Sequence, residues 1–312
     1  MSNVSVKPYG EYLNFGNCLE LSNDKISLLV TVDVGPRIIR ASLKDSETNM
    51  MKNDVNRDTT EEGEAFDKYY YPGAKWNIYG GHRLWMSPES LPETYYPDND
   101  PVKYEITETG AIFKPNPQVQ NGVQYVIEVS LCESDVTINH YITNISDKTL
   151  HFSPWALTVL NKGGLEIIPQ NTRNTGLLAN RKVIMWPYSN MADERLYFGE
   201  KYITLRQDEN VLRAFKMGLD NENGWAMYVL DDTVFVKSYP HFLDKEYEDF
   251  GVSFETYTNE HILEIETLGA KASPAPGETV LHTEKWSLYK NCGTPNPTDE
   301  AEVAKFVENY IK

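Results

Sequence analysis

The sequence predicts an all-β protein. Aromatic residues make up 12% of the 312 residues, and together with many Val, Ile and Thr they favour β-strands. Several segments alternate apolar and polar residues with a period of two, and no strand–helix–strand unit repeats along the chain. Because no linker rich in Pro, Gly or Ser interrupts the pattern, we expect one β domain over 1–295 and a helical tail over 296–312.

The strand predictions rest on segments that turn residues separate from one another. In the segment 225–240, Asp231 and Asp232 lie between two apolar runs, which predicts a hairpin. The clearest strand segments are 25–33, 123–133, 135–146, 225–240, 261–270 and 279–289. The segment 51–70 is polar and acidic, so it is predicted to be a mobile loop.

The tail has the pattern of an amphipathic helix. Asn296 is predicted to cap it, and Pro297 suits its first position. A single apolar stripe follows, which predicts that the helix packs on the outside of a sheet. The stripe consists of Val303, Phe306, Val307, Tyr310 and Ile311.

Charge and composition limit the classes of partner. The formal net charge of −17 disfavours nucleic acid and anionic membranes, so a neutral small molecule is the expected partner. No apolar run is long enough to predict a transmembrane helix, and the N-terminus lacks a signal-peptide pattern, so a cytoplasmic location is expected. The oligomeric state does not follow from the sequence.

Known cofactor and metal motifs are missing from the sequence. It contains no His-x-x-x-His pair, no Gly-x-Ser-x-Gly, no phosphate-binding glycine loop and no dinucleotide fingerprint, so no metal or cofactor is predicted. Cys18, Cys132 and Cys292 are odd in number and far apart, which predicts buried free thiols rather than disulfides.

The stretch GGHRLWMSPE at 80–89 is the first candidate site. Two glycines permit a tight turn, after which His82 can exchange a proton and Arg83 can contact oxygens with a planar fork of donors. We expect both side chains to project toward a polar ring. The alternative is structural, with Arg83 paired to an acid such as Glu89.

Two carboxylates near the C-terminal end form the second candidate. Glu264 and Glu266 are two residues apart on a predicted strand and therefore share a face, opposite Leu263, Ile265 and Thr267. Neighbouring carboxylates separate each other's pKa values, which suits acid–base chemistry. A solvated strand face is the alternative.

Further candidates lie in loops and beside prolines. The segment 236–251 leaves an apolar strand and carries Lys237, Tyr239 and His241. Trp155 and Trp186 lie next to prolines, where an exposed ring could stack against a sugar. Trp225 and Trp286 alternate with strand residues and are predicted to be core residues.

The order of these motifs resembles the galactose-mutarotase-like superfamily, in a bacterial branch distinct from the typical aldose epimerases. The resemblance covers residues 10–290 and implies a β-supersandwich, in which large antiparallel sheets present a concave sugar-binding face. The motifs that carry it are VDVGPRIIRASL, GGHRLWMSPE, WALTVLNKGG, MWPYSNMADER, LEIETLGA and PGETVLHTEKWSLY.

The resemblance also implies roles for individual residues. Glu266 matches the glutamate that acts as base on the anomeric hydroxyl, with Glu264 as the alternative, and Arg83 and His82 resemble the residues that bind sugar hydroxyls. The family's general acid is a histidine, but here the matching stretch is Ser153 to Ala156 and contains none. His82 or His241 must therefore supply that proton.

These implications predict a carbohydrate-binding protein of the aldose 1-epimerase type. Glu266 would act as base and His82 or His241 as acid. Arg83, Glu89, Lys237 and Glu264 would bind the sugar, and Trp155, Trp186 and Tyr239 would shape the pocket. Two alternatives remain open: a sugar-binding protein without turnover, and a glycoside hydrolase or lyase with Glu89 or Asp244 opposite Glu266.

Overall fold

Two ten-stranded antiparallel sheets make up most of the molecule, so the predicted all-β class is confirmed. The computed structural model describes residues 4–311. The strands of the first sheet, in spatial order, are β1 (Ser5–Glu11), β2 (Asn17–Ser22), β3 (Ile26–Thr31), β4 (Ile38–Leu43), β7 (Gly81–Ser87), β12 (Ser153–Leu160), β21 (Leu263–Leu268), β20 (Phe254–Thr258), β17 (Phe215–Leu219) and β14 (Val183–Met185).

The second sheet contains the long central hairpins. Its strands, in spatial order, are β15 (Leu196–Phe198), β16 (Tyr202–Arg206), β13 (Leu165–Pro169), β18 (Trp225–Leu230), β19 (Thr233–Ser238), β22 (Thr279–Lys290), β11 (Asp135–Asn144), β10 (Val123–Cys132), β9 (Gly110–Lys114) and β8 (Lys103–Ile106). The predicted turn at Asp231 and Asp232 joins β18 to β19.

The main core lies between the two sheets, because alternate residues of each strand point to the same face. Leu28 and Ile265 of the first sheet pack in one cluster with Ile138, Phe235 and Trp286 of the second. Burial of each such side chain stabilises the fold by about 1.5–3 kcal/mol. We call the face of each sheet that lies in this core its inner face, and the opposite face its outer face.

The segment 51–70 is not the loop that its polarity predicts. It contains β5 (Thr60–Glu62), which pairs with β6 (Lys75–Asn77), and the short helix α1 (Glu64–Tyr69). Phe66 of α1 and Trp76 of β6 are buried in a cluster on the outer face of the first sheet. Within the segment, Met51, Asp54 and Phe66 are buried and hold in place the remaining residues, which are partly or fully exposed.

The C-terminal helix packs as predicted but begins later. Helix α2 (Glu300–Val307) is capped by Asp299, whose side chain accepts from the backbone N–H groups of Ala301 and Glu302. Asn296 instead accepts from Thr298 in a preceding turn. The predicted apolar stripe contacts the outer face of the second sheet, where Val303, Phe306 and Val307 are buried.

The cysteines are free, but only one is buried. Cys18 lies in the first sheet, whereas Cys132 and Cys292 are exposed. Cys132 ends β10 at a turn, and Cys292 follows β22 on the surface. Neither of the two helices in residues 4–311 has both the length and the apolar character that crossing a bilayer requires.

Candidate functional site

Strand β7 begins at two glycines that no other residue could replace without a clash. Gly80 and Gly81 have positive φ angles of 95° and 65°. A Cβ atom at Gly80 would lie 1.9 Å from the carbonyl oxygen of Lys52, and one at Gly81 would lie 2.2 Å from that of Ile38. The close approach sets the register of β7 and so decides which side chains reach each face.

His82 and Arg83 point to opposite faces, because they are consecutive residues of one strand. Arg83 lies on the outer face of the first sheet with Trp85, whereas His82 is fully buried on the inner face. The expectation that both project toward one ring is therefore wrong. Of the two side chains that follow the glycines, only Arg83 lies on the outer face.

Glu264 and Glu266 share the outer face of β21, as their spacing predicts. Leu263 and Ile265 point into the main core, and Thr267 also lies on the inner face. Strand pairing places Glu264 opposite Tyr257 of β20 and Glu266 opposite Glu255 of the same strand. The outer face of the first sheet thus carries both carboxylates on β21, between β12 and β20.

A pocket of about 230 Å³ lies on this face, and we call it the aromatic pocket. Strands β7, β12, β17, β20 and β21 form its floor, and the β5–β6 hairpin and the residues after β7 form its sides. Its aromatic lining consists of Trp76, Trp85, Tyr95, Trp155, Tyr188 and Tyr257. Its charged lining consists of Glu61, Arg83, Glu89, Lys216 and Glu264.

An arginine–carboxylate pair provides the polar groups of the pocket. Arg83 Nη1 donates to Glu264 Oε1 at 3.2 Å, and the guanidinium stacks on Trp85 with 4.2 Å between its carbon and the ring centre. Burial raises the pKa of Glu264, although Arg83 opposes the shift. Glu89, the acid suggested as a partner for Arg83, instead accepts from the Tyr95 hydroxyl.

Lys216 is a residue of the site that was not among the candidates predicted from the sequence. Its ammonium lies 2.8 Å from Glu255 and 3.1 Å from Glu266. Burial alone would lower its pKa, but Glu266 and Glu255 outweigh burial and raise it well above the usual value. The ammonium also lies within 5 Å of the ring centres of Trp155 and Trp186.

Glu255 is the third carboxylate of this group. It is buried next to Glu266, and burial raises its pKa well above the usual range in spite of Lys216. The two cations Arg83 and Lys216 face three carboxylates, Glu255, Glu264 and Glu266. The buried group therefore has one carboxylate more than it has cations.

Glu266 lies beneath the floor of the aromatic pocket and has no solvent exposure. Its Oε2 accepts from the Trp155 indole N–H at 2.9 Å and from the Lys216 ammonium at 3.1 Å. Glu264, two residues earlier, lines the pocket itself. Of the two predicted carboxylates, Glu264 is therefore the one that a ligand can contact.

His82 belongs to a polar group in the main core, which we call the interior cluster. The cluster consists of His82, His140, Lys237, His282 and Glu284, and all five are buried between the sheets. The Lys237 ammonium forms an ion pair with Glu284 at 2.7 Å, and it donates to Thr158 and to two backbone carbonyls. Glu284 accepts further hydrogen bonds from Thr267 and Trp286.

The hydrogen bonds fix the proton positions of the interior cluster. His140 Nδ1 donates to the backbone oxygen of His282 at 3.0 Å, so its Nε2 accepts from His82 Nε2 at 2.7 Å. His82 Nδ1 then accepts from the Thr158 hydroxyl at 2.9 Å. Burial lowers the pKa values of all three histidines, so they are neutral at pH 7.

Three members of the interior cluster have the ligand types of a metal site. His82, His140 and Glu284 offer atoms within 4.8 Å of one another. However, His82 Nε2 carries the hydrogen that it donates to His140, and the Lys237 ammonium already neutralises Glu284. The donor set is thus complete as a hydrogen-bonded network and does not fit an added cation.

The interior cluster corrects three further expectations. Lys237 cannot hold sugar hydroxyls in the aromatic pocket, because β19 belongs to the second sheet and Lys237 points to its inner face. His82 cannot act as an acid in that pocket, because it points from β7 of the first sheet to the inner face. Tyr239 is also buried in the main core, with its ring near Phe254 and His282.

The interior cluster makes stability depend on pH. The folded pKa of His282 is lowered to about 3, so the unfolded chain binds more protons below about pH 6.5. The stabilisation that depends on neutral His282 is complete above about pH 6.5 and is lost as the pH falls toward 3. From pH 7 to pH 5 we expect His282 to contribute a loss of about 2 kcal/mol.

This expectation is checked by urea unfolding at pH 7 and pH 5. His282→Gln should reduce the loss of unfolding free energy between the two pH values by about 2 kcal/mol. The surface variant His151→Gln should lose as much as the wild type, because His151 is exposed. Equal pH dependence in the wild type and His282→Gln would contradict the assignment.

His241 lies in a different cavity. Its Nε2 is 2.7 Å from Asp220 Oδ1, and its ring stacks on Tyr247 with 5.2 Å between ring centres. The cavity that it lines has no lining residue in common with the aromatic pocket. Among residues 4–311 no histidine lines the aromatic pocket, so a second proposed acid is also displaced.

The two proline-flanked tryptophans lie next to each other rather than on the open surface. Trp155 is almost fully buried and forms part of the pocket floor. Trp186 is half-buried and contacts the other side of the Lys216 ammonium. Tyr188, two residues after Trp186, supplies the exposed ring at the pocket, with 44% of its surface accessible.

Solved structures of low sequence identity share this arrangement of sheets. A galactose mutarotase-like protein from Lactobacillus casei ATCC 334 matches with a TM-score of 0.53 at 10% identity, over 87% of this chain and 100% of that one. Another, from Clostridium acetobutylicum, matches with a TM-score of 0.54 at 11% identity, over 93% and 99%. The fold is galactose-mutarotase-like. The predicted β-supersandwich is therefore confirmed.

A third neighbour in fold is a larger protein. A TPR-domain containing protein from Parabacteroides distasonis ATCC 8503 matches with a TM-score of 0.60 at 14% identity. The match covers 93% of this chain, and the chain spans about half of that protein, 54%. No protein-family model matches the sequence, and no curated protein matches it. The comparisons thus establish the mutarotase-like fold alone.

Proposed function

We propose that this protein binds a neutral carbohydrate in the aromatic pocket. The observation that carries the proposal is the combination of aromatic rings with the Arg83–Glu264 pair on the outer face of the first sheet. Sugar rings present C–H groups to aromatic faces and hydroxyls to charged donors and acceptors. The fold neighbours named as galactose mutarotase-like proteins support a carbohydrate ligand.

The charge of the pocket favours a neutral sugar over an acidic one. Three acidic side chains and two basic ones line it. Both basic groups are already paired, Arg83 with Glu264 and Lys216 with Glu255 and Glu266. An added carboxylate or phosphate would meet Glu61 and Glu89 without a free cation, which costs binding free energy.

Glu264 supports a second candidate function, exchange of sugar anomers as in aldose 1-epimerases. Its raised pKa lets a carboxyl group in contact with the ligand exchange a proton nearer to neutral pH. As a base, it would remove the anomeric hydroxyl proton while the bond from the anomeric carbon to the ring oxygen breaks. The ring oxygen would take a proton from a pocket donor, and reclosure on the other face would reverse both transfers.

This scheme differs from the sequence-based one in its residues. Glu264 replaces Glu266 as base, because Glu266 is buried beneath the floor. The acid becomes the Tyr188 hydroxyl or the Lys216 ammonium, since both groups line the pocket. Neither is a good acid near pH 7, because the pKa of each is raised. Binding is thus better supported than turnover.

Nuclear magnetic resonance tests both functions on one sample. Saturation-transfer difference spectra should detect binding of at least one neutral monosaccharide or disaccharide from a panel, and exchange spectra of the same sugar measure anomer interconversion. Binding without accelerated exchange assigns a binding protein, and accelerated exchange that Glu264→Gln abolishes assigns an epimerase. Release of reducing ends from oligosaccharides would instead assign a hydrolase that uses Glu89 and Glu264.

Tyr188→Ala should weaken the binding of that sugar by about five- to tenfold, because an exposed ring contributes about 1–1.5 kcal/mol of stacking. The matched control is Tyr104→Ala, which removes a tyrosine of similar exposure (42% against 44%) from β8 of the second sheet. Isothermal titration calorimetry measures both dissociation constants. Equal weakening in the two variants, or none in Tyr188→Ala, would contradict the assignment of the aromatic pocket as the sugar-binding site.

A further inference from the structure

The cavity that contains His241 is a second candidate site, and we call it the basic pocket. Its volume is about 710 Å³. It lies at the end of strands β17, β20 and β21, where the segment 171–182 and the loop 239–253 come together. Arg181, Lys182 and Lys245 supply positive charge, Asp220 and His241 form a hydrogen-bonded pair, and Phe250 lies at the rim.

The charge of the basic pocket is opposite to that of the protein as a whole. Five basic and three acidic side chains line it, in a chain of net charge −17. Arg173 is neutralised by Glu222 through two hydrogen bonds. Arg181 and Lys245 have no carboxylate partner among residues 4–311. The excess cations can therefore bind an anion without first breaking an ion pair.

Hydrogen bonds hold the Arg181 guanidinium in place and leave one of its nitrogens available to a ligand. Its Nε donates to the backbone oxygen of Asn171 at 3.2 Å, and one Nη donates to that of Glu200 at 2.8 Å. The other Nη makes no hydrogen bond within the described part of the chain. Because a fixed fork loses little conformational entropy on binding, this geometry suits recognition of phosphate or carboxylate oxygens.

His241 provides an unused polar atom at the same cavity. Its side chain is only 4% exposed, and Asp220 accepts from its Nε2. Its Nδ1 is buried and has no partner among the described residues. Because Nε2 donates to Asp220, Nδ1 is an acceptor, and it can accept a hydrogen bond from a donor group on the body of a ligand.

Exposed apolar side chains complete the rim. Phe242, Leu243 and Phe250 line the basic pocket, and Phe250 is 88% accessible. Exposed apolar groups beside unpaired cations fit a ligand with an apolar body and one anionic group. An inorganic ion would use only the cations and would leave the rim uncovered.

We propose that the basic pocket binds a small organic anion, a phosphate or carboxylate on an apolar or ring-shaped body, independently of the aromatic pocket. The anionic group contacts Arg181 and Lys245, and the body packs against Phe242 and Phe250. The two pockets have no lining residue in common, so one ligand can occupy each.

Isothermal titration calorimetry with three probes tests this site. Phenyl phosphate and phenylacetate carry the two anionic groups, and benzyl alcohol is the neutral control. We expect one or both anions to bind the wild type and benzyl alcohol not to bind. The anion that binds more tightly shows whether the site recognises a phosphate or a carboxylate group. If neither anion binds, or if benzyl alcohol binds equally well, the proposal is wrong.

Two double variants locate the binding. Arg181→Ala/Lys245→Ala should weaken the preferred anion at least about tenfold, the loss typical of charge-assisted hydrogen bonds. Lys103→Ala/Lys114→Ala removes equal charge from β8 and β9 of the second sheet and should leave the affinity unchanged. Circular dichroism confirms that each variant is folded. Equal losses in both double variants would mean a general charge effect and would overturn the site.

Discussion

Replacing Lys237 with Met should destabilise the protein by about 3–5 kcal/mol. Lys237 and Glu284 form an ion pair at 2.7 Å, and neither side chain has any solvent exposure. Burial would raise the pKa of Glu284, but Lys237 and the three neighbouring histidines together outweigh burial and lower that pKa, with Lys237 as the largest of these causes. Removing the ammonium leaves a carboxylate between the two sheets with only neutral histidines, Thr267 and Trp286 around it.

The double variant Lys237→Met/Glu284→Gln is the matched control. Gln keeps one acceptor oxygen, which can serve Trp286, and carries no charge, so the double variant should recover a large part of the lost stability. Urea unfolding at pH 7, followed by circular dichroism, measures all three proteins. A single variant as stable as the wild type, or a double variant less stable than the single one, would contradict the ion-pair account.

Replacing Arg83 with Leu should weaken sugar binding about 100-fold, the equivalent of about 2–3 kcal/mol for lost charge-assisted hydrogen bonds. Arg83 lines the aromatic pocket, stacks on Trp85 and orients Glu264 at 3.2 Å. The variant loses the guanidinium donors and also frees the Glu264 carboxylate, whose pKa should rise because the cation that opposed burial is gone.

Arg83→Lys separates charge from geometry in this prediction. Lysine keeps a positive charge next to Glu264 but cannot present a planar fork or stack on Trp85 in the same way. We expect binding between that of the wild type and that of Arg83→Leu, measured by calorimetry with the sugar found in the screen. Full affinity in Arg83→Leu, with the protein folded, would mean that the sugar does not contact the Arg83–Glu264 pair.

The sequence determines which neighbouring residues share a face, but it does not determine which face is the inner one. The period of two correctly placed Glu264 and Glu266 together, opposite Leu263 and Ile265. The same period places the consecutive residues His82 and Arg83 on opposite faces. The expectation that both reach one ligand did not take this into account. The assignment of Lys237 failed for a different reason, because its strand belongs to the second sheet.

Lys216 and Glu255 could have been suspected from their strands. Lys216 lies between Phe215 and Met217 in FKMGL, and Glu255 follows Phe254 in FETYT. Buried charges occur only where a partner neutralises them. That signal indicates a buried ion pair but not its partner. The pairing depends on the spatial order β12-β21-β20-β17, which no local pattern contains.

The central claim, that the aromatic pocket binds a neutral carbohydrate, is tested most directly by a crystal structure with the sugar that the resonance screen selects. The account predicts sugar hydroxyls within hydrogen-bond distance of Arg83 and Glu264, and a sugar ring against Tyr188. Electron density for the sugar in the basic pocket or on the second sheet, with the aromatic pocket unoccupied, would contradict it.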